Sequence, residues 1–163
     1  FRYRKSQGSV GPVNDLRELY QAVILDHNRS PRNYCVLDEY NRDAMGVNPL
    51  CGDDVHIYLY VNEHGIIEQV SFQGRGCAIS TASASIMTET LRGRSEGEAE
   101  AYFAAFHQLV MGAGDSASAD LDFSKLEVLS GVAEYPARVK CATLAWHTVK
   151  AALRETGDKT TTE

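Results

Sequence analysis

The sequence predicts an α+β fold: a small antiparallel β-sheet of about three strands packed against several helices. Three observations carry this expectation. The alternating run "DVHIYLYV" leads through the turn "NEHG" into a second extended run, "IIEQVSF", which together read as a hairpin. Strand-like segments cluster early and helix-like segments late, so no βαβ array is written here. No internal repeat divides the 163 residues, a length that suits one domain with a sizeable core.

The elements follow in order. Residues 1–13 read as a flexible tail, because "FRYRKSQGSVG" is basic, then Gly/Ser-containing, and has no periodicity. A helix is predicted from about Asn14 to Asp26, with Asn14 as its N-cap and Asp15 and Glu18 in its first turn. Leu16, Leu19, Tyr20 and Val23 recur there at helical spacing, and Pro31 stops any continuation. In the first hairpin strand Val55, Ile57, Leu59 and Val61 share one face, while His56, Tyr58 and Tyr60 share the other. The short segment before Cys51 supplies a third strand. "CAISTASASIMTETLRG" reads as a helix whose small residues permit close packing, with Gly93 as its C-cap. A further helix covers about Ser95 to Val110, and "MGAGDSASADLD" is a loop. The last helix runs from near Pro136 to about Glu155, since proline suits a first turn. Residues 156–163, "TGDKTTTE", read as a second flexible tail, leaving 14–155 as a single domain.

Composition excludes some functions. A net charge of −6 argues against nucleic-acid partners, which require Lys/Arg surfaces. No apolar run is long enough to cross a membrane, so no membrane partner is expected. No signal-peptide apolar core is visible, which makes a cytoplasmic or organelle-matrix setting the expectation.

The chemistry lies in four cysteines: Cys35, Cys51, Cys77 and Cys141. None forms a Cys-x-x-Cys pair, so neither a zinc ribbon nor a thioredoxin-type motif is present. Cys51 precedes the first hairpin strand, and Cys77 follows the second. A hairpin brings the start of one strand beside the end of the next, so Cys51 and Cys77 are predicted neighbours. Glycines flank both, Gly52 after Cys51 and Gly74 and Gly76 before Cys77, which lets the backbone turn sharply or approach a ligand. Cys77 opens a helix, where the N-terminus favours a thiolate. Asp53 offers an oxygen ligand. Together Cys51, Asp53, Cys77 and Cys141 form a set of three sulfurs and one oxygen, enough for a tetrahedral zinc site. The spacing leaves a second reading open, in which these thiols are small buried hydrophobes. That reading is preferred for Cys35, which has Tyr34 and Val36 beside it and no carboxylate or glycine. His27, His107 and His147 read as helix-surface or capping residues, and neither His56 nor His64 reads as a ligand.

Four stretches together resemble the U-type iron–sulfur cluster assembly scaffolds: "LYQAVILDHNRSPRN", "NPLCGD", "GRGCAISTASAS" and "YPARVKCATLAW". The resemblance runs from about Leu16 to Leu153 and implies a SufE/NifU-like α+β fold. It implies that Cys51, Asp53, Cys77 and Cys141 bind zinc or assemble a cluster, with sulfur supplied by a PLP-dependent cysteine desulfurase. Two features resemble the Suf-type branch. Lys140, rather than a histidine, precedes the last cysteine, and a long segment separates Cys77 from Cys141. Members of that branch hold zinc and act as sulfurtransferases, which makes Cys51 the expected persulfide acceptor. Bound zinc keeps a thiol deprotonated, and a ligand from the partner that displaced Cys51 would free it to attack the persulfide. Arg138 and Lys140 would support the thiolate by charge; for Arg138 a solvated place at a helix start is the other reading. The alternative function is a scaffold on which a [2Fe–2S] cluster is built and passed to downstream assembly proteins or apo-proteins. Purely structural zinc is a third reading.

Overall fold

The computed structural model describes residues 12–112, 122, 124–154 and 160–161. The chain runs α1 (Pro12–Arg29), β1 (Arg42–Asn48), β2 (Asp53–Val61), β3 (Ile67–Arg75), α2 (Ala78–Leu91), α3 (Glu96–Val110), a 3₁₀ helix (Leu126–Glu134), α4 (Pro136–Leu153) and β4 (Thr160–Thr161). The fold is the expected α+β arrangement. β1, β2 and β3 form an antiparallel meander, in the sheet order β3-β2-β1-β4.

Alternation decides which face of the sheet is covered. Val55, Ile57, Leu59 and Val61 of β2 are all buried, with Ile57 and Leu59 wholly so. Ile57 pairs with Phe72 and Leu59 with Val70 on β3, so the apolar rows of the two strands line up. Burying each such side chain stabilises the fold by roughly 1.5–3 kcal/mol. α4 lies across β1 and β2, and α2 packs on both α1 and α4. Ala82, Ser83, Ala84 and Ser85 of α2 are buried, and their small size lets two helices approach one segment. The hydroxyls of Ser83 and Ser85 are paired, Ser85 Oγ with His27 Nδ1 at 2.7 Å. Ser83 Oγ donates to the Ala142 carbonyl at 2.5 Å and accepts from Trp146 Nε1 at 3.1 Å. Trp146 in turn stacks on Phe106 of α3, with ring centroids 4.6 Å apart.

Local signals end the helices where they stand. Ser95 and Glu98 form a capping box at the start of α3. Arg92 is the C-cap of α2, and Gly93 follows it at φ +85°, so the glycine acts one position beyond the expected cap.

Several expectations change. α1 begins at Pro12, which places Asn14 inside the helix rather than at its cap and takes residues 12–13 out of the predicted tail. A proline at the start has no N–H to leave unsatisfied. Residues 1–11 of that tail lie outside the described residues, as does most of the loop predicted at 111–122. Within the predicted C-terminal tail, Thr160 and Thr161 pair with Gly46 and Val47 as a parallel strand. The 3₁₀ helix has no counterpart in the prediction. His27 is buried rather than on the helix surface, with Nδ1 2.7 Å from the Ser85 hydroxyl. Cys35 is exposed rather than buried, because the loop carrying it runs outside the core. Among the described residues, no helix is long and apolar enough to cross a membrane.

Candidate metal centre

The predicted site residues gather at one end of the sheet. The turn between β1 and β2 is closed by the Asn48 carbonyl, which accepts from Cys51 N at 3.2 Å and Gly52 N at 2.9 Å. Gly52 takes the left-handed conformation, φ +72°, that the turn requires. Asp53 starts β2 directly opposite Asn48. Cys77 is the N-cap of α2, and its sulfur accepts from Ser80 N at 3.4 Å. The preceding Gly76 leaves room for Asp53: a Cβ there would stand 3.0 Å from Asp53 Oδ1. That same oxygen accepts from Cys77 N at 3.0 Å, joining the start of β2 to the start of α2.

Cys141 reaches the cluster from the second turn of α4. It is wholly buried, and its sulfur lies 3.4 Å from Cys51 Sγ. Ligand atoms of Cys51, Asp53 and Cys141 lie within 4.8 Å of one another. Cys77 stands outside that closest group but acts on it. Burial is the main cause that pushes the Cys141 thiol pKa up; the Cys51 thiol and the Cys77 charge push it the same way, and Arg138 opposes them. The three thiols differ in access: Cys51 is exposed, Cys77 half-buried and Cys141 buried. Asp53 is buried, and its Oδ2 has no hydrogen-bond partner among the described residues.

Arg138 and Lys140 part company. Arg138 precedes Cys141 by three residues and so shares its helix face. Its Nη1 lies 3.9 Å from Cys141 Sγ, and its pKa is raised first by that sulfur, then by Cys77 and Cys141, and after them Cys51. Lys140 is rotated away on the helix and makes no hydrogen bond or ion pair with the donor groups among the described residues. Cys35 is not among the assembled donors. Asn48 was not singled out as a site residue, yet its Nδ2 lies 3.8 Å from Cys141 Sγ. Its place at the head of "NPLCGD" was the available signal.

The NifU-like N-terminal domain family matches residues 19–142. The chain belongs to that family, the U-type iron–sulfur cluster assembly scaffolds. It is 38% identical over 146 residues to the iron-sulfur cluster assembly scaffold protein IscU of Streptococcus pyogenes serotype M1, covering 90% of this chain and 89% of that one. It is 39% identical over 132 residues to the zinc-dependent sulfurtransferase SufU of Bacillus subtilis, covering 81% and 87%. A crystal structure of a putative iron-sulfur cluster assembly scaffold protein for the SUF system, from Fervidobacterium islandicum AW-1, superposes with a TM-score of 0.72 at 28% identity, covering 84% of this chain and 98% of that one.

Proposed function

We propose that Cys51, Asp53, Cys77 and Cys141 hold one zinc ion, and that the protein serves iron–sulfur cluster assembly by accepting sulfur at Cys51. The donor would be the persulfide of a PLP-dependent cysteine desulfurase. The observation that carries this reading is that two thiols of unlike access, exposed Cys51 and buried Cys141, meet the buried Asp53 carboxylate within 4.8 Å, with the Cys77 charge acting on Cys141.

The residues fit the ion. A buried carboxylate oxygen without a partner is costly unless a cation faces it, and Asp53 Oδ2 is such an oxygen. Three sulfurs and one oxygen suit a soft cation that favours a tetrahedron. Bound here, zinc would keep the thiols deprotonated and tie α4 to the sheet.

Cys51 is the thiol that an incoming persulfide can reach. Its thiolate attacks the outer persulfide sulfur, forming a new S–S bond on Cys51 Sγ. The bond to the donor cysteine breaks, and that cysteine leaves as a thiolate, so no external oxidant or reductant takes part. Arg138 offsets negative charge among the sulfurs, and Lys140 adds positive charge at the same helix start. Cys51 and Cys141 lie close enough that oxidation would join them, with sulfurs 3.4 Å apart, so a reducing cytoplasmic setting suits the chemistry.

The name of the Bacillus subtilis relative supports the sulfurtransferase reading. That of the Streptococcus pyogenes relative supports a second one, in which a [2Fe–2S] cluster is assembled on these donors and passed to apo-proteins. Reaction with desulfurase and cysteine, followed by mass spectrometry, tests the first: the added sulfur should appear on Cys51. Cys51→Ala should keep part of the metal yet lose all stimulation of the desulfurase. A persulfide found mainly on Cys35 would overturn the assignment. Brown, sulfide-containing protein from anaerobic purification would favour the second reading over stoichiometric, colourless zinc.

A further inference from the structure

Asn48 is wholly buried beside the sulfurs and takes no part in the transfer described above. It makes two kinds of contact. Its backbone carbonyl closes the turn that carries Cys51, accepting from Cys51 N and Gly52 N at 3.2 and 2.9 Å. Its side-chain Nδ2 lies 3.8 Å from Cys141 Sγ. Its Oδ1 meets no donor among the described residues despite complete burial. A residue that merely filled this space would be better as leucine, which leaves no oxygen unpaired. The amide is explained by what its other end does. A sulfur that ligates a metal can only accept hydrogen bonds, so the nitrogen end is the one suited to meet it. Arg138 meets the same sulfur from an exposed position at 3.9 Å, and Asn48 meets it from the buried interior.

We infer that Asn48 is a positioning residue of the metal centre: its carbonyl sets the turn bearing Cys51, and its Nδ2–H holds the Cys141 sulfur in place. The inference rests on the metal-ligand reading proposed above. Through this one residue, ligands 90 positions apart in the chain are placed together. Hydrogen bonds from outside the ligand set orient metal ligands and tune their donor strength, and their loss typically weakens metal binding by about 10- to 100-fold.

The test compares full-length wild type with Asn48→Leu, which is similar in size and has no donor. Asn48→Asp, which keeps the shape but replaces Nδ2 with oxygen, is read in its place if Asn48→Leu does not fold. Protein loaded with Co²⁺ should show its sulfur-to-cobalt charge-transfer band moved to lower energy, because an unshared thiolate is the more electron-rich donor. Zinc release to a chromogenic chelator should be about tenfold faster or more. In metal-free protein, the Asn48 side-chain amide resonances should move on Cys141→Ala. A folded variant with an unmoved band and release within about twofold of wild type overturns the inference, even if its metal-free melting temperature falls, since the residue would then serve the fold alone. Wild type that takes up no Co²⁺ overturns the metal reading instead. In that case the amide resonance decides the Asn48–Cys141 contact, and resonances unchanged by Cys141→Ala overturn it.

Discussion

Asp53→Ala separates two jobs of one carboxylate. Oδ1 accepts the Cys77 N–H at 3.0 Å, and Oδ2 is buried without a partner. In metal-free protein the substitution loses one charge-assisted hydrogen bond, about 1.5–3 kcal/mol. It also removes a buried unpaired oxygen, a gain of about 1–3 kcal/mol. The two effects oppose each other, so metal-free stability should change by about 1 kcal/mol or less, ~2–4 °C in melting temperature for a chain of this size. The zinc-loaded form has no such compensation. Three thiolates and one carboxylate leave the complex at about net −2, and the variant opens the carboxylate position to water. Zinc should be retained but exchanged about 10- to 100-fold faster, equivalent to about 1.4–2.8 kcal/mol. Sulfur acceptance at Cys51 should fall, because the site geometry is no longer set. Calorimetry with and without a strong chelator reads the first quantity, and competition with a chromogenic chelator reads the second. Chelation should also lower the wild-type melting temperature. If Asp53→Ala released zinc no faster than wild type, Asp53 would not be a ligand, and the fourth donor would be water, a histidine or a partner's group. An equal loss of stability in both forms would give Asp53 a purely structural role.

Three further outcomes are expected. Gly74→Ala should destabilise by about 2–4 kcal/mol in urea unfolding. Gly74 sits at φ +153°, and a Cβ there would overlap the Asp54 carbonyl oxygen and stand 2.8 Å from Val55 Cα; a change under about 0.5 kcal/mol would refute this contact. Ser83→Ala should lower unfolding free energy by about 1–3 kcal/mol, because Trp146 Nε1 and the Ala142 carbonyl lose a buried partner, whereas an unchanged urea midpoint would mean the pair is dispensable. His27→Gln should flatten the acid side of the stability profile. Burial, then the neighbouring Arg32 charge, lowers the His27 pKa below its ordinary 6.5, so the folded state favours the neutral ring. Its contribution is complete above about pH 6.5 and is lost as pH falls through the lower folded value. Wild type and variant losing equal stability between pH 7.5 and 5 would sink the assignment.

Local pattern alone made much of the site legible. The alternation in "DVHIYLYV" and the turn at "NEHG" specify a hairpin, and a hairpin necessarily brings the turn at Cys51 near the end of β3 and so near Cys77. Glycines and prolines announced the sharp turns at Gly52 and Gly93 and the start of α4 at Pro136, because backbone conformation is a property of the residue itself. The place of Cys141 was different. Its membership of the set came from counting donors and from resemblance rather than from topology, since nothing within α4 says which strands that helix crosses. The exposed Cys35 and the buried His27 were misread for the same reason, because burial depends on what other segments cover a position, whereas the start of α1 was misread because Pro12 already serves as its first residue. Asn48 is the clearest instance. Its sequence neighbourhood shows a turn before a cysteine, but its contact with Cys141 exists only once α4 packs across β1, which close packing of the whole core decides.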